Sequence, residues 1–576
     1  MCPTAAGHTA VLISGPSMTE PLDAVAVLAE TAANQRGLSL VGSGLRLFEG
    51  RRAVPVGDVA SRVSPFDLGR TYELLLAPKA RRKKGAHLTP EGVARNLVAM
   101  MPPPALSDRV LDPAVGGAAF LIAAADQLVD GGARPAEVIR QLFGVDIDAG
   151  AVAVAEAALA LWGIDHEVEV RPLPNLSHGD GLLHELPVAD RVVGNPPFLN
   201  QLRSSSTHTA VRRTALRERW GDLVGTYTDD AWLFIAAGLH ALDANGTLAM
   251  VQPVSVLAAR YGDAVREHVA ARASLLGIWL AREQVFDAAV QVCGLVLGTG
   301  SSTAATVERR VGADFSMVPT RLDQPAPSEW GSTAAAAMEV PEVRLLRRAS
   351  RTISDLASAT AGFRDQFYGF VPHVSEWDAD VVPATHARLV TVGMIDVLEL
   401  GWGSRPFKFA KQSYRRPVID LAALDVENDK LGQWVRARQR PKLLMATQTR
   451  VVEVWVDESG QAIPATPVVS IEPLDDDPEA LWLLAAALSA PALSAHFMAN
   501  NFGTAMSLNA MKLSARDVLG APLPSDYGAW TDAATTLRSN PGDIEYFAEI
   551  MDRAYGTTDA SVASWWASRL ANQSKK

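Results

Sequence analysis

The stretch Asn195-Pro196-Pro197-Phe198 brings together residue types that can do chemistry as a unit. Two adjacent prolines donate no amide hydrogen and stiffen the chain, so an Asn carboxamide and backbone carbonyls are held outward as acceptors beside the π-face of Phe198. Such a corner can accept two hydrogen bonds from an amino group and stack the ring that carries it. The bland alternative is a surface turn containing Pro-Pro. Against it stands the apolar run ending Arg191-Val192-Val193-Gly194, which reads as a buried strand. Open α/β sheets keep their ligands at the carboxyl ends of strands.

Three acidic residues upstream suit a cofactor. Arg109 to Phe120 reads as strand, glycine turn and helix, with Asp112 ahead of Ala114, Gly116, Gly117 and Phe120. Ala118 and Ala119 break the dinucleotide fingerprint, and a carboxylate before the glycines would repel a pyrophosphate but attract an ammonium group. Asp146 ends a second strand, Leu142 to Asp148, where ribose hydroxyls are held in such sheets, while Asp148 is placed to cap the next helix. Asp180, between Gly179 and Gly181, either accepts an exocyclic amine or closes an Asx turn. Thr89 before Pro90 and Glu91 reads as an N-cap whose helix could receive a carboxylate. An acid for an ammonium, one for ribose and one for an adenine amine, without a phosphate cradle, fit S-adenosylmethionine better than NAD or ATP.

These groups need a sheet to hold them. The chain has 576 residues, enough for two or three domains. A hydrophobic content of 48% and a mean hydropathy of +0.08 support a folded globular protein. The pattern divides into a cap over 1–60, an α/β catalytic domain over 61–305 and a mixed α+β domain with a helical tail over 306–576. In the cap, Leu22 to Ala33 is helical, while Leu38 to Leu47 and Ala53 to Val56 alternate as strands do. Phe66 to Leu76 reads as a helix with an apolar inner face. Val168 to Leu173 opens the third strand unit, and Asp230 to Leu242 is a helix closed by Asn245-Gly246 before a strand over Thr247 to Val251. Leu275 to Ala281 and Val290 to Leu297 read as paired strands. Later, Ile353 to Ala359 reads as a short helix, Lys442 to Met445 and Val451 to Val456 as strands, and Leu481 to Ala490 and Leu493 to Met498 as core helices.

The formal charge of -11, from 53 Lys+Arg against 64 Asp+Glu, is awkward for a nucleic-acid partner, yet local distribution matters more than the sum. Basic residues do cluster: Arg81 to Lys84, then Arg203, Arg212, Arg213, Arg217 and Arg219 around His208. Arg405, Lys408, Lys411, Arg415 and Arg416 interleave with Phe407 and Phe409, a mixture suited to backbone and base contacts. Only Cys2 and Cys293 occur, which excludes a disulfide framework or a cysteine-rich zinc site. No signal sequence or apolar run of membrane-spanning length is visible, so the expected compartment is the cytoplasm, with Met1 or Met18 as the start.

The ordered motifs resemble the adenine-N6 DNA methyltransferases of the TaqI and Eco57I type. In that family the T-P motif, here Thr89-Pro90-Glu91, holds the methionine part of the cofactor; the D-P-A-x-G turn falls on Asp112, Ala114, Gly116 and Phe120, with Ala118 departing from the usual second glycine. The ribose acid falls on Asp146, the adenine-side acid on Asp180 and N-P-P-[FYW] on Asn195, Pro196, Pro197 and Phe198. Phe286 aligns with an aromatic that holds the flipped base, and His87 stands where the family has an apolar or aromatic residue. The resemblance implies a Rossmann-like S-adenosylmethionine-dependent fold, a C-terminal target-recognition domain and methylation of a flipped adenine in duplex DNA. No Lys follows an Asp or Glu by two positions, which speaks against the common metal-dependent nuclease motif and leaves a restriction endonuclease or defence subunit as a separate partner. Methylation of RNA or of a protein glutamine, and a binding subunit that keeps the fold as scaffold, are the competing expectations.

Overall fold

A computed structural model of the chain describes residues 20–51, 53–54, 62–76, 89–198, 210–285, 290–302, 304–319, 322–343, 351–475, 477–557 and 559–571. His87, Arg203, His208, Phe286 and the run Arg81 to Lys84 lie outside these residues. The chain divides into two compact units between Trp330 and Gly331.

The first unit is built on a ten-stranded sheet. Four parallel strands form one half: β1 (Val110–Asp112), β2 (Leu142–Asp146), β3 (Leu176–His178) and β4 (Ala189–Gly194), in the order β3-β2-β1-β4. The order continues through β5 (Leu242–Pro253), β7 (Val292–Gly298), β6 (Ser274–Leu280), β8 (Thr306–Val311) and β10 (Leu322–Asp323), with β9 (Ser316–Met317) beside β8. β7 runs antiparallel to both β5 and β6. Reversal of strand order next to β1 opens a crevice at the strands' carboxyl ends, the ligand position of doubly wound sheets. This is the Rossmann-like architecture expected.

Helices cover both faces. α1 (Pro21–Asn34) starts on a proline at its first turn, and its residues Ala24 to Ala33 are buried. α2 (Pro65–Leu75) begins with a Ser64–Asp67 capping box, in which the Ser64 amide and hydroxyl both donate to Asp67 Oδ2 at 2.8 and 3.0 Å. α3 (Glu91–Ala99), α4 (Ala119–Asp130) and α5 (Pro135–Gln141) precede α6 (Ala149–Asp165), which Asp148 caps by accepting from Gly150 N at 3.1 Å. α6 is apolar all round because α1 and α2 pack on it, so no face is left to water. α7 (Ala210–Trp220), α8 (Asp230–Ala241) and α9 (Asp263–Ala270) complete the layer.

Two strand expectations fail for one reason: buried carboxylates satisfy backbone donors that a strand would have paired. Glu30, 4% exposed, accepts from Leu40 N at 2.8 Å, Val41 N at 3.2 Å and Ser39 Oγ at 2.6 Å, so Leu38 to Leu47 folds as turns and a 3-10 segment at Arg46–Phe48. Glu156, fully buried, accepts from Arg46 N and Leu173 N, and the third strand begins at Leu176 instead of in Val168 to Leu173. β5 starts directly at Leu242, so Asn245-Gly246 lies within it, and a register shift between Ala189 and Arg191 of β4 absorbs the extra residues.

The second unit is mixed α+β. One four-stranded sheet joins Ala357–Ala361, Val469–Pro473, Lys442–Met445 and Val454–Asp457; another joins Val374–Glu376, Pro417–Asp420, His386–Val390 and Ala462–Pro464. Ile353 to Ala359, expected as a helix, is a 3-10 turn at Ile353–Asp355 leading into the first of these strands. Helices Pro478–Ser489 and Pro491–Asn500 are core, as their composition requires. No single helix among the described residues is long and apolar enough to cross a membrane.

Candidate active site

Adjacent parallel strands deliver the acids and the Asn to one edge: β1 ends on Asp112, β2 on Asp146, β3 two residues before Asp180, and β4 one residue before Asn195. They line a single cavity of about 370 Å³, the size of a small-molecule pocket. Ala114, Gly116, Phe120, Thr89 and Pro197 line it too. Pro90 sits outside the lining as the N-cap of α3, and Pro196 is buried behind the corner. Phe198 is half-buried and packs on the edge of the core.

Asp112 is 2% exposed and accepts one bond, from Ala114 N at 3.0 Å. No cation pairs with it among the described residues, and burial, with the Asp146 charge adding to it, pushes its carboxyl up to about 8. An ammonium placed there would restore the carboxylate, so the residues fit the amino-acid end of S-adenosylmethionine. Gly194 makes room for this group: a Cβ there would stand 2.8 Å from Asp112 Oδ1. Asp146 orients the turn, its Oδ2 accepting from Gly116 N at 2.9 Å and its Oδ1 from Asp148 N at 2.8 Å. A carboxylate so placed at the end of β2 is an acceptor of the kind a ribose hydroxyl needs.

Asn195 is held by Thr89. Its Nδ2 donates to Thr89 Oγ1 at 3.0 Å, which fixes the carboxamide about its long axis and makes Oδ1 the acceptor side. Thr89 therefore does not cap the following helix, which begins at Glu91 without a side-chain cap. Asp180 closes an Asx turn, its Oδ1 accepting from Leu182 N at 3.0 Å, and it also lines the cavity.

Arg212, one of the basic cluster that follows Phe198, lines the cavity. Its Nε donates to Asp180 Oδ2 at 2.7 Å and its Nη1 to Asp230 Oδ2 at 2.9 Å, a pairing a half-buried guanidinium prefers to solvent. Arg213 lies beside it on α7, half-buried.

α2 forms a wall that the sequence reading assigned only an apolar inner face. Phe66, Arg70, Tyr72 and Glu73 all reach the cavity. The Tyr72 hydroxyl donates to Asp148 Oδ2 at 2.9 Å, and burial together with Asp148 pushes the phenol up. The signal was present in the alternation of polar with apolar residues along Phe66 to Glu73.

In the second unit, Phe407–Phe409 and Gln412–Tyr414 form a hairpin whose turn residues Ala410 and Lys411 have φ of 47° and 71°. Lys408, Lys411 and Arg415 are exposed on or next to it. Arg405 pairs with Asp396 at 2.9 Å and Arg416 with Asp380.

Residues 64–308 match the model of the family described as N-6 DNA methylase, so the sheet is an S-adenosylmethionine-dependent methyltransferase core. The type I restriction enzyme StySPI methylase subunit of Salmonella potsdam is 31% identical over 169 residues, covering 26% of this chain and 31% of that protein. The matched segment is thus about a third of the curated relative's length. Among solved structures, the type IIL restriction-modification enzyme MmeI in complex with DNA has a TM-score of 0.59 at 14% identity, over 90% of this chain and 82% of that one. A DrdV–DNA complex has a TM-score of 0.50 at 10% identity, over 82% and 59%. Both likenesses are of fold.

Proposed function

We propose, on the premise that residues 64–308 belong to the N-6 DNA methylase family, that this protein is a site-specific DNA adenine-N6 methyltransferase using S-adenosylmethionine. The carrying observation is the Asn195 carboxamide, locked by Thr89 at the rim of the cavity that also holds Asp112, Asp146 and Asp180. Because the curated relative is a restriction-enzyme methylase subunit, the same proposal places the chain in a restriction-modification or related defence system.

A duplex hides adenine N6, so the base must be extruded, at a cost of a few kcal/mol. Phe198 would stack on it. Asn195 Oδ1 and the Pro196 carbonyl would accept the two N6 hydrogens, drawing the nitrogen lone pair out of conjugation with the ring. Asp112 would hold the cofactor ammonium, Asp146 its ribose and Asp180 its adenine amine. S-adenosylmethionine supplies an electrophilic methyl on a sulfonium. With a neutral nucleophile and a good leaving group, positioning is the main contribution of the protein. Cys293 is fully buried in β7 and takes no part.

Transfer of labelled methyl groups to genomic DNA, with RNA and protein as controls, tests the reading. Asn195→Ala should lower the rate by at least about 100-fold, the scale of losing one acceptor or donor made for the reacting centre, with cofactor affinity nearly unchanged. Label appearing in protein or RNA but not DNA would reassign the substrate, and near-normal turnover in Asn195→Ala would reassign the site.

A further inference from the structure

A second pocket lies wholly within the second unit, where helix Ser561–Ala571 faces Arg450 and the segment Met338 to Pro341. Two guanidinium groups line it. Arg569 lies over the ring of Trp565 at 4.4 Å and is anchored by its Nη1, which donates to Asn509 O at 2.9 Å and Arg450 O at 3.4 Å. Arg450 reaches the same pocket, and its side chain makes no ion pair or hydrogen bond among the described residues. Burial, and then the charge of Arg450, lower the Arg569 guanidinium to about 10.

Three other arginines of this unit are answered by acids: Arg405 by Asp396, Arg436 by Asp425, Arg538 by Glu458. Here two cations share one pocket, and neither is ion-paired with an acid among the described residues, although the chain as a whole carries a net charge of -11. The Trp565 indole N–H is buried without an acceptor among the described residues, a further donor with nothing to bond. Glu339, exposed at the rim, is the one carboxylate in the lining among the described residues. Convergent donors, two positive charges and an aromatic platform suit a phosphodiester anion.

We propose that Arg450 and Arg569 form a phosphate-binding pocket that holds one backbone phosphate of the DNA. This rests on the reading of the protein as a DNA methyltransferase. It is distinct from the cofactor cavity, whose residues all belong to the first unit. Arg569 also braces two carbonyls, so Arg450 is the informative position.

The test uses the full chain and duplex DNA, with affinity measured between about 50 and 200 mM salt. Arg450→Gln should reduce the slope of log K against log salt by ~0.9, so that affinity falls ~3.5-fold less over that range than in the wild type. Arg450→Lys should restore the slope, and transfer at saturating DNA should be unchanged in both variants. A wild-type protein that methylates DNA, with an Arg450→Gln slope equal to its own, overturns the pocket alone. A wild-type protein that binds no DNA sinks the function proposed above and the phosphodiester assignment with it. Inorganic phosphate separates the remaining source: if it raises the melting temperature of the wild type but not of Arg450→Gln while the DNA slope stays the same, the pocket holds a free anion and the DNA assignment is wrong.

Discussion

Asp112 sets a pH dependence that can be measured without turnover. Its carboxyl titrates at about 8 in the fold and near ~3.9 in an unfolded chain, so folding takes up a proton between those values. Stability from this group is therefore full below the lower value and lost as pH rises through the upper one. In Asp112→Asn, urea titrations from pH 5 to 8 should show a flatter stability profile than the wild type. Cofactor binding has the opposite slope: an ammonium needs the carboxylate, so affinity should rise up to about tenfold per pH unit toward pH 8, with proton release seen calorimetrically. Asp112→Asn should abolish both. Thr89 makes a second case. Thr89→Val removes the acceptor that orients Asn195 and should lower kcat by about fivefold, the scale of one net hydrogen bond of ~1 kcal/mol, with KM for cofactor little changed and Thr89→Ser restoring it. The strand-ending residues Asp112, Asp146 and Asn195 were readable from the sequence because each follows an apolar run. Arg212 with Asp230, and Tyr72 with Asp148, were not, since nothing local pairs residues 18 or 76 positions apart.

Among the elements, α2 and the glycine turn fix each other. A Cβ on Gly69 would stand 2.7 Å from Gly117 Cα, so the second glycine of the turn serves a helix crossing as well as ligand approach. Gly69→Ala should destabilise by about 1–3 kcal/mol, the usual cost of overpacking, read as a lower urea midpoint. Ala118 adopts φ 68° with its methyl fully buried. Relief of ~1–2 kcal/mol of left-handed strain is offset by one lost buried methyl of ~0.8 kcal/mol and by the added freedom of unfolded Gly, so Ala118→Gly should stay within about 1 kcal/mol of wild type. The left-handed geometry of the turn is kept although Ala118 stands where the resemblance has a glycine. Helices were legible where caps and prolines mark their starts, as at Ser64-Pro65 and Asp148. Short strands were not, because alternation over Leu38 to Leu47 looks the same whether the backbone donors meet another strand or a distant buried Glu.

At the scale of the molecule, the two units separate the cofactor cavity from the basic hairpin and the arginine pocket, which explains how a chain of net charge -11 can carry local positive surface. Cofactor at 100 times its Kd should add about 2.7 kcal/mol to the unfolding transition of the unit that binds it; a calorimetric scan in which that transition does not move would contradict a formed site. The Arg212 bridge bears on this too. Its guanidinium occupies acceptors on Asp180 that an incoming adenine amine would share, and it sits two residues inside α7. Anything that draws α7 outward thus alters the price of admitting the cofactor, and by thermodynamic reciprocity the cofactor alters the affinity for whatever grips α7 by the same factor. The coupling would then be carried by one side chain: in Arg212→Gln, cofactor and DNA should bind with no influence on each other, whereas the wild type should show their affinities coupled.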